Sequence, residues 1–179
     1  MFTQNYIDGV KGLFKGESFK FVPCGGGSAI EGSYERSEIG KIGYHMRVAT
    51  CREYVTSGQS SVYAVSTGVY FGKGTTPATK DDYKLESPIT SGLTITNPSY
   101  FVEVHGGDGK YIWVSDFVVQ NTSGAEVNIS EIGLHLPFYY SGNSTYYLTL
   151  AERTVLDEPI VIPAGATRVI EYKITFNQL

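Results

Sequence analysis

The end of the chain carries a strict two-residue rhythm. Between Thr167 and Phe176, Val169, Glu171, Lys173 and Thr175 alternate with Arg168, Ile170, Tyr172, Ile174 and Phe176. Successive side chains of an extended strand point to opposite faces, so this pattern turns one nearly all-apolar face inward. The same period governs most of what precedes it. Phe19, Phe21 and Pro23 start a strand that ends at Gly25-Gly26-Gly27, and Gly32 to Gly43 is a charged, glycine-punctuated segment read as loop or weak strand. Tyr44 to Arg52 and Val62 to Phe71 read as strands, as do Leu93 to Ile95, Tyr100 to His105 and Tyr111 to Gln120. Gly106-Gly107-Asp108-Gly109 makes the last two a hairpin. Further strands are expected at Glu126 to Leu136, Tyr146 to Leu150 and Ile160 to Ile162, with a connection from Arg153 to Pro159 and a turn at Pro163-Ala164-Gly165-Ala166.

About eight strands at this spacing predict an all-β chain, an antiparallel, jelly-roll-like β-sandwich. The 21 glycines and 14 tyrosines, with recurrent Val, Ile and Thr, are sheet-and-turn composition. At 179 residues one main domain is expected, over 18–179.

Residues 1–17 are different. Phe2, Tyr6, Val10, Leu13 and Phe14, with Ile7 beside them, recur at three- and four-residue steps, which predicts a short amphipathic helix stopped by Gly16. Gly9 and Gly12 each weaken it by about 1 kcal/mol relative to alanine, so it must pack on something. Two roles fit: a cover over an open end of the sheet, or a docking arm that orders against a partner subunit.

The formal charge of −4 comes with no basic stripe, which argues against a nucleic-acid partner. No apolar run approaches the roughly 20 residues needed to cross a bilayer, and Met1-Phe2-Thr3-Gln4-Asn5 has no secretory pattern, so no membrane association is expected. Cys24 and Cys51 share no metal or redox spacing and read as free thiols. Asn121-Thr-Ser, Asn128-Ile-Ser and Asn143-Ser-Thr match the glycosylation pattern and, without a secretory signal, read as polar turns.

Motifs that would carry chemistry are weak. His45, His105 and His135 have no second ligand at a spacing that aims both at one ion, His105 before Asp108 coming nearest, so no metal or other cofactor is expected. Ser28 and Ser60 lie outside a Gly-x-Ser-x-Gly elbow. Gly72-Lys73-Gly74-Thr75-Thr76 lacks the preceding glycine and the following helix of a phosphate loop. Asp81-Asp82 and Asp157-Glu158 are adjacent pairs, solvated if in turns and on opposite faces if in strands. Tyr139-Tyr140 and Tyr146-Tyr147 flank the turn Ser141-Gly142-Asn143-Ser144, and such rigid contact area with polar tips suits protein interfaces and sugar platforms alike.

Two sets of segments carry a resemblance. Phe71-Gly-Lys-Gly-Thr-Thr-Pro-Ala-Thr-Lys-Asp-Asp-Tyr-Lys-Leu-Glu-Ser-Pro-Ile89 resembles a "Gly-Thr-Gly-Thr-Thr-Pro, then Asp-Tyr-x-Leu" signature, with Lys73 in place of the usual threonine. The second is Ile129-Ser-Glu-Ile-Gly-Leu134, continued by Leu150-Ala-Glu-Arg-Thr-Val-Leu-Asp-Glu-Pro-Ile160 and Pro163-Ala-Gly165. Both are similar to segments of β-sandwich virion proteins of tailed bacteriophages. The resemblance implies a non-enzymatic particle component, made in the bacterial host cytoplasm and present in many copies in the virion. It would contact capsid or tail subunits and form a homo-oligomer. A head accessory or decoration protein is the first expectation, a tail or baseplate component the second. A carbohydrate-binding or adhesin module using the Tyr139 to Tyr147 region, and an enzyme with a site assembled across strands, are the readings from other classes.

The same segments have a direct physical reading. Gly72 and Gly74 are expected to allow a tight turn through positive φ, with Tyr83 and Leu85 pinning the following loop to the sandwich edge. Glu131 and Arg153 are isolated charges in apolar contexts and are expected to pair, the loss of either costing on the order of 3 kcal/mol.

Overall fold

The computed structural model describes residues 1–15, 19–32, 53–54, 66–96, 102–105, 110–140 and 145–177. One helix, α1 (Gln4–Lys15), precedes ten described strands: β1 (Phe19–Phe21), β2 (Ile30–Gly32), β3 (Glu53–Tyr54), β4 (Ser66–Gly72), β5 (Leu93–Thr96), β6 (Val102–His105), β7 (Lys110–Asn121), β8 (Val127–Tyr140), β9 (Thr145–Ile162) and β10 (Thr167–Asn177). They form two four-stranded antiparallel sheets and a small β1-β2 ribbon, the all-β class expected from the two-residue period. The chain groups into two compact units, Met1–Ile89 with Ile129–Ile160, and Thr90–Asn128 with Val161–Leu179.

The first unit holds the sheet ordered β3-β4-β8-β9. Its central pair runs in the register Gly68↔His135 to Gly72↔Glu131, so Gly68, Tyr70 and Gly72 share a face with His135, Gly133 and Glu131. Val69 and Phe71 lie with Leu134 and Ile132 on the other face, and all four are buried. β8 is therefore buried on both faces along this stretch, which explains its nearly unbroken apolar run. Gly133 makes room for Leu85 of the following loop and Leu150 of β9: a Cβ there would lie 2.7 Å from Leu85 Cδ2 and 2.9 Å from Leu150 Cδ1.

The expected break between Leu150 and Ile160 is absent, and Thr145–Ile162 is one continuous strand. Asp157, Glu158 and Pro159 are exposed, and β9 is the end strand of its sheet. A proline is tolerated at that position because no central ladder bond is lost. The outer edge of β9 is covered by the start of the chain. Phe2 bridges Glu152, the Thr3 amide donates to Ala151 O (3.0 Å), and the Arg153 amide donates to Met1 O (3.0 Å). Thr3 also caps α1, with its carbonyl accepting from the Ile7 amide and its buried hydroxyl donating to Leu150 O (2.5 Å). Asn5 then ties the helix to the segment after β1 through Val22, its side chain donating to O (2.8 Å) and accepting from N (2.9 Å). Phe2 and Tyr6 stack with ring centroids 4.9 Å apart. These contacts fit the covering role of the first residues. The side chains of Val10, Leu13 and Phe14 lie outside the described residues.

The second unit is built on β7, which pairs with β10 on one side and with β5 and β6 on the other. The β6-β7 hairpin is present, with His105↔Tyr111 as its last described pair. Alternation is clean: Phe117, Val119, Ile170 and Tyr172 are buried, while Gln120, Val169, Glu171 and Lys173 face solvent. Asn121 locks the end of this sheet. Its buried side chain donates to Ala125 O and Ile162 O (both 2.8 Å) and accepts from the Ser123 amide (2.9 Å) and hydroxyl (2.6 Å). The expected turn before β10 has Gly165 at φ 74°, and its amide donates to Asn121 O (3.0 Å). The predicted strands over 44–52 and 62–65 lie outside the described residues.

Candidate functional site

The strongest concentration of polar groups lies in the first unit, where the chain leaves β4 as a long loop and returns. Lys73 N donates to Ser87 O (2.8 Å) and Ile89 N to Phe71 O (2.9 Å), and Gly72 bridges Pro88, so the loop closes beside the strand it left. A fully buried carboxylate, Glu131 on β8, sits at the closure. Its Oε1 accepts from the amides of Gly74 (3.0 Å) and Ser87 (2.7 Å), and its Oε2 from the Glu86 amide (3.1 Å) and Arg153 Nε (2.8 Å). The pair expected between Glu131 and Arg153 is thus part of a larger cluster.

Arg153, on β9, is buried and divides its guanidinium among three carboxylates. Besides Glu131 it reaches Asp82 Oδ2 (2.8 Å, from a terminal nitrogen) and Glu86 Oε2 (3.3 Å, from the other). Burial alone would lower the Arg153 pKa; its hydrogen bonds to Asp82 and Glu131 outweigh burial and raise it. Burial would likewise raise Asp82, but the Thr79 amide, Arg153 and the Thr79 hydroxyl hold its carboxyl below the usual range. Glu86 is held down mainly by the Thr76 amide and hydroxyl. Asp82 therefore corrects the solvated-turn reading of Asp81-Asp82: Asp81 is exposed, while Asp82 turns inward to the arginine.

Gly72 and Gly74 also need a correction. Neither has positive φ. They are glycines because Glu131 occupies the space: a Cβ on Gly72 would collide with its carboxylate, and one on Gly74 would lie 2.7 Å from Oε1 and 2.6 Å from Glu86 Cβ. Leu85 is buried and lies over Gly133. Tyr83 is half-buried near the glycine turn after β1, its ring 3.8 Å from where a Gly26 Cβ would stand. Tyr139, Tyr140, Tyr146 and Tyr147 occupy the facing ends of β8 and β9, but their side chains and the turn 141–144 lie outside the described residues.

Sequence reasoning missed the placement of three further groups here. Asp82 and Glu86 carry no spacing signal, because a loop brings them to Arg153. His135 lies on the Glu131 side of β8, against the edge of Tyr70 (4.6 Å between centroids), and among the described residues its Nδ1 has no hydrogen-bond partner. Burial pushes its pKa down to about 4, only partly offset by the Gly133 backbone and the Glu131 charge. Cys24 is a free thiol whose pKa burial pushes up to about 12, which favours the protonated thiol at neutral pH. His45, Cys51, Ser60 and Asp108 lie outside the described residues.

The cluster's chemistry is that of a clasp. Each Glu131 oxygen already accepts two hydrogen bonds, and three guanidinium nitrogens are each engaged. Among the described residues no group of three or more His, Cys, Asp or Glu side chains is arranged to hold a metal ion, and no helix is long and apolar enough to cross a membrane. No family model matches the chain, and neither a curated protein nor a solved structure does.

Proposed function

We propose that this chain is a structural protein of a tailed-phage particle, a head accessory or decoration subunit that works through protein–protein contacts and not catalysis. One observation supports this most directly. The segments that resemble virion proteins are far apart in sequence, yet Gly72, Gly74, Asp82 and Leu85 from the first, Glu131 from the second and Arg153 from its continuation meet in the clasp. The residues of these segments thus fix the excursion between Gly72 and Ser87 onto a sheet, which is an architectural task. Residues shared for catalysis would instead leave an acid, base or nucleophile with unused capacity toward substrate. A rigid loop on a β framework is a suitable contact element for a lattice, since little ordering entropy is lost on docking.

The test is the particle. Gradient-purified virions from the phage that encodes this chain should contain it at a fixed, multiple copy number by quantitative mass spectrometry, and an image reconstruction should show its density on the head. Density on the tail would move the assignment within the particle. Absence of the chain from infectious, purified virions would refute the reading.

A further inference from the structure

β10 ends its sheet: among the described residues its strand neighbour is β7 alone. It is 11 residues long and contains no proline, and both features favour strand addition, which edges of monomeric proteins usually discourage. Its solvent face carries charges of both signs. Glu171 lies directly opposite Asp116 of β7, two carboxylates side by side on one face, where like charges are unfavourable. Lys173 lies 3.0 Å from Glu171, with both side chains about half exposed. On the same face, two residues before Glu171, stands Val169, 66 % exposed and the most exposed valine described.

A second copy matches these charges in one register. When β10 pairs antiparallel with itself around a two-fold axis at position 172, residue 171 faces 173 of the other copy, and the reverse. Each Glu171 then meets the Lys173 of the other chain, and each Val169 falls opposite position 175. Neighbouring registers that keep the same faces together do worse. Centring on 171 sets Glu171 against itself, centring on 173 does so for Lys173, and centring on 170 or 174 leaves Glu171 opposite Val169 or Asn177. We propose that β10 is a homotypic docking edge, joining two copies into one continuous sheet with two reciprocal Glu171–Lys173 pairs. This inference does not depend on the particle reading, although many copies on a lattice would raise the local concentration that favours it.

Sedimentation velocity over roughly micromolar to hundreds of micromolar concentrations tests it, since the ladder should give a concentration-dependent dimer. Glu171→Lys and Lys173→Glu each put like charges at both symmetric positions and should weaken the dimer by about tenfold or more. The double exchange Glu171→Lys with Lys173→Glu restores unlike pairs and should recover most of that loss. Both residues are exposed, and circular dichroism of each variant verifies the fold. Amide exchange of the unsubstituted protein provides an independent readout: protection along Thr167–Asn177 should rise with concentration. A monomer at every concentration, or a dimer whose affinity shifts less than twofold in the single reversals, overturns the proposal. A double exchange no better than the single reversals does so too.

Discussion

Replacing Glu131 by glutamine removes the charge while keeping the shape, and it should be among the most damaging single changes in the first unit. Each carboxylate oxygen accepts two hydrogen bonds, Oε1 from Gly74 and Ser87 and Oε2 from Glu86 and Arg153. An amide has one accepting oxygen. Whichever way it is turned, its NH2 group faces two N–H donors, so two bonds are lost and two donors are left facing a donor at a site with no solvent access. Arg153 also loses its most deeply buried counter-charge. Breaking a buried ion pair from one side costs about 3–5 kcal/mol, and at about 2–4 °C per kcal/mol for a chain of this size the midpoint should fall by roughly 10 °C. Urea unfolding at pH 7, followed by circular dichroism, gives the free energy, and limited proteolysis should show earlier cleavage between Lys73 and Ser87. The loss should persist at high salt, because a buried pair is poorly screened. Glu86→Gln, at the exposed end of the same guanidinium, serves as the comparison and should have a much smaller effect. A Glu131→Gln protein within about 1 kcal/mol of the parent would refute the clasp as the element that holds the loop.

Three other outcomes are expected. Gly72→Ala should cost about 1–3 kcal/mol by overpacking against Glu131, whereas Gly124→Ala, with nothing within 4 Å of the new Cβ and no positive φ, should leave urea unfolding unchanged. Asn121→Asp sets a carboxylate against the carbonyls of Ala125 and Ile162 and should cost about 3 kcal/mol, read as a lower melting temperature. For His135, the unfolded chain binds a proton near pH 6.5 while the folded chain does not until about pH 4, so stability should fall as pH drops through that window. The total is about 3 kcal/mol, and His135→Leu should flatten this slope in unfolding free energies measured from pH 7 to 4 while leaving the acid limb of Asp82 and Glu86, whose depressed values lose stability below the normal carboxylate range.

The parts of the fold legible in the sequence are those fixed by a local period. The alternation from Thr167 to Phe176, the hairpin around Gly106 to Gly109 and the helix ending near Gly16 each depend on neighbours a few residues away. What was misread depends on tertiary position. Asp157-Glu158-Pro159 has the composition of a turn and becomes strand because β9 is an end strand, where exposed charges and a missing N–H are tolerated. Gly72 and Gly74 look like φ-driven glycines and are instead excluded-volume glycines, a distinction invisible until Glu131 is placed against them. The Glu131–Arg153 pair was readable because a single acid and a single base in apolar surroundings have few ways to be neutralised. Asp82 and Glu86 were not readable as its partners, since a loop's return path carries no periodic signal.

The clasp also gives a reason why such a costly arrangement would persist. A buried pair is on average no more stable than the apolar residues that could replace it, so its value here lies in what it specifies. An apolar plug would hold the loop in any of several positions. Glu131 accepts from the amides of Gly74, Glu86 and Ser87 at once, and that set of donors exists for only one path of the loop. Arg153 then ties the same path to β9 through Asp82 and Glu86. An apolar replacement such as Glu131→Leu with Arg153→Met could therefore retain much of the unfolding free energy and still lose the single loop conformation, and with it any contact that the loop makes in an assembly. Stability and loop order separate in that double variant, so urea unfolding combined with proteolysis between Lys73 and Ser87 measures them independently. A double variant as protease-resistant in that loop as the parent would show that the charges contribute nothing to the choice of path.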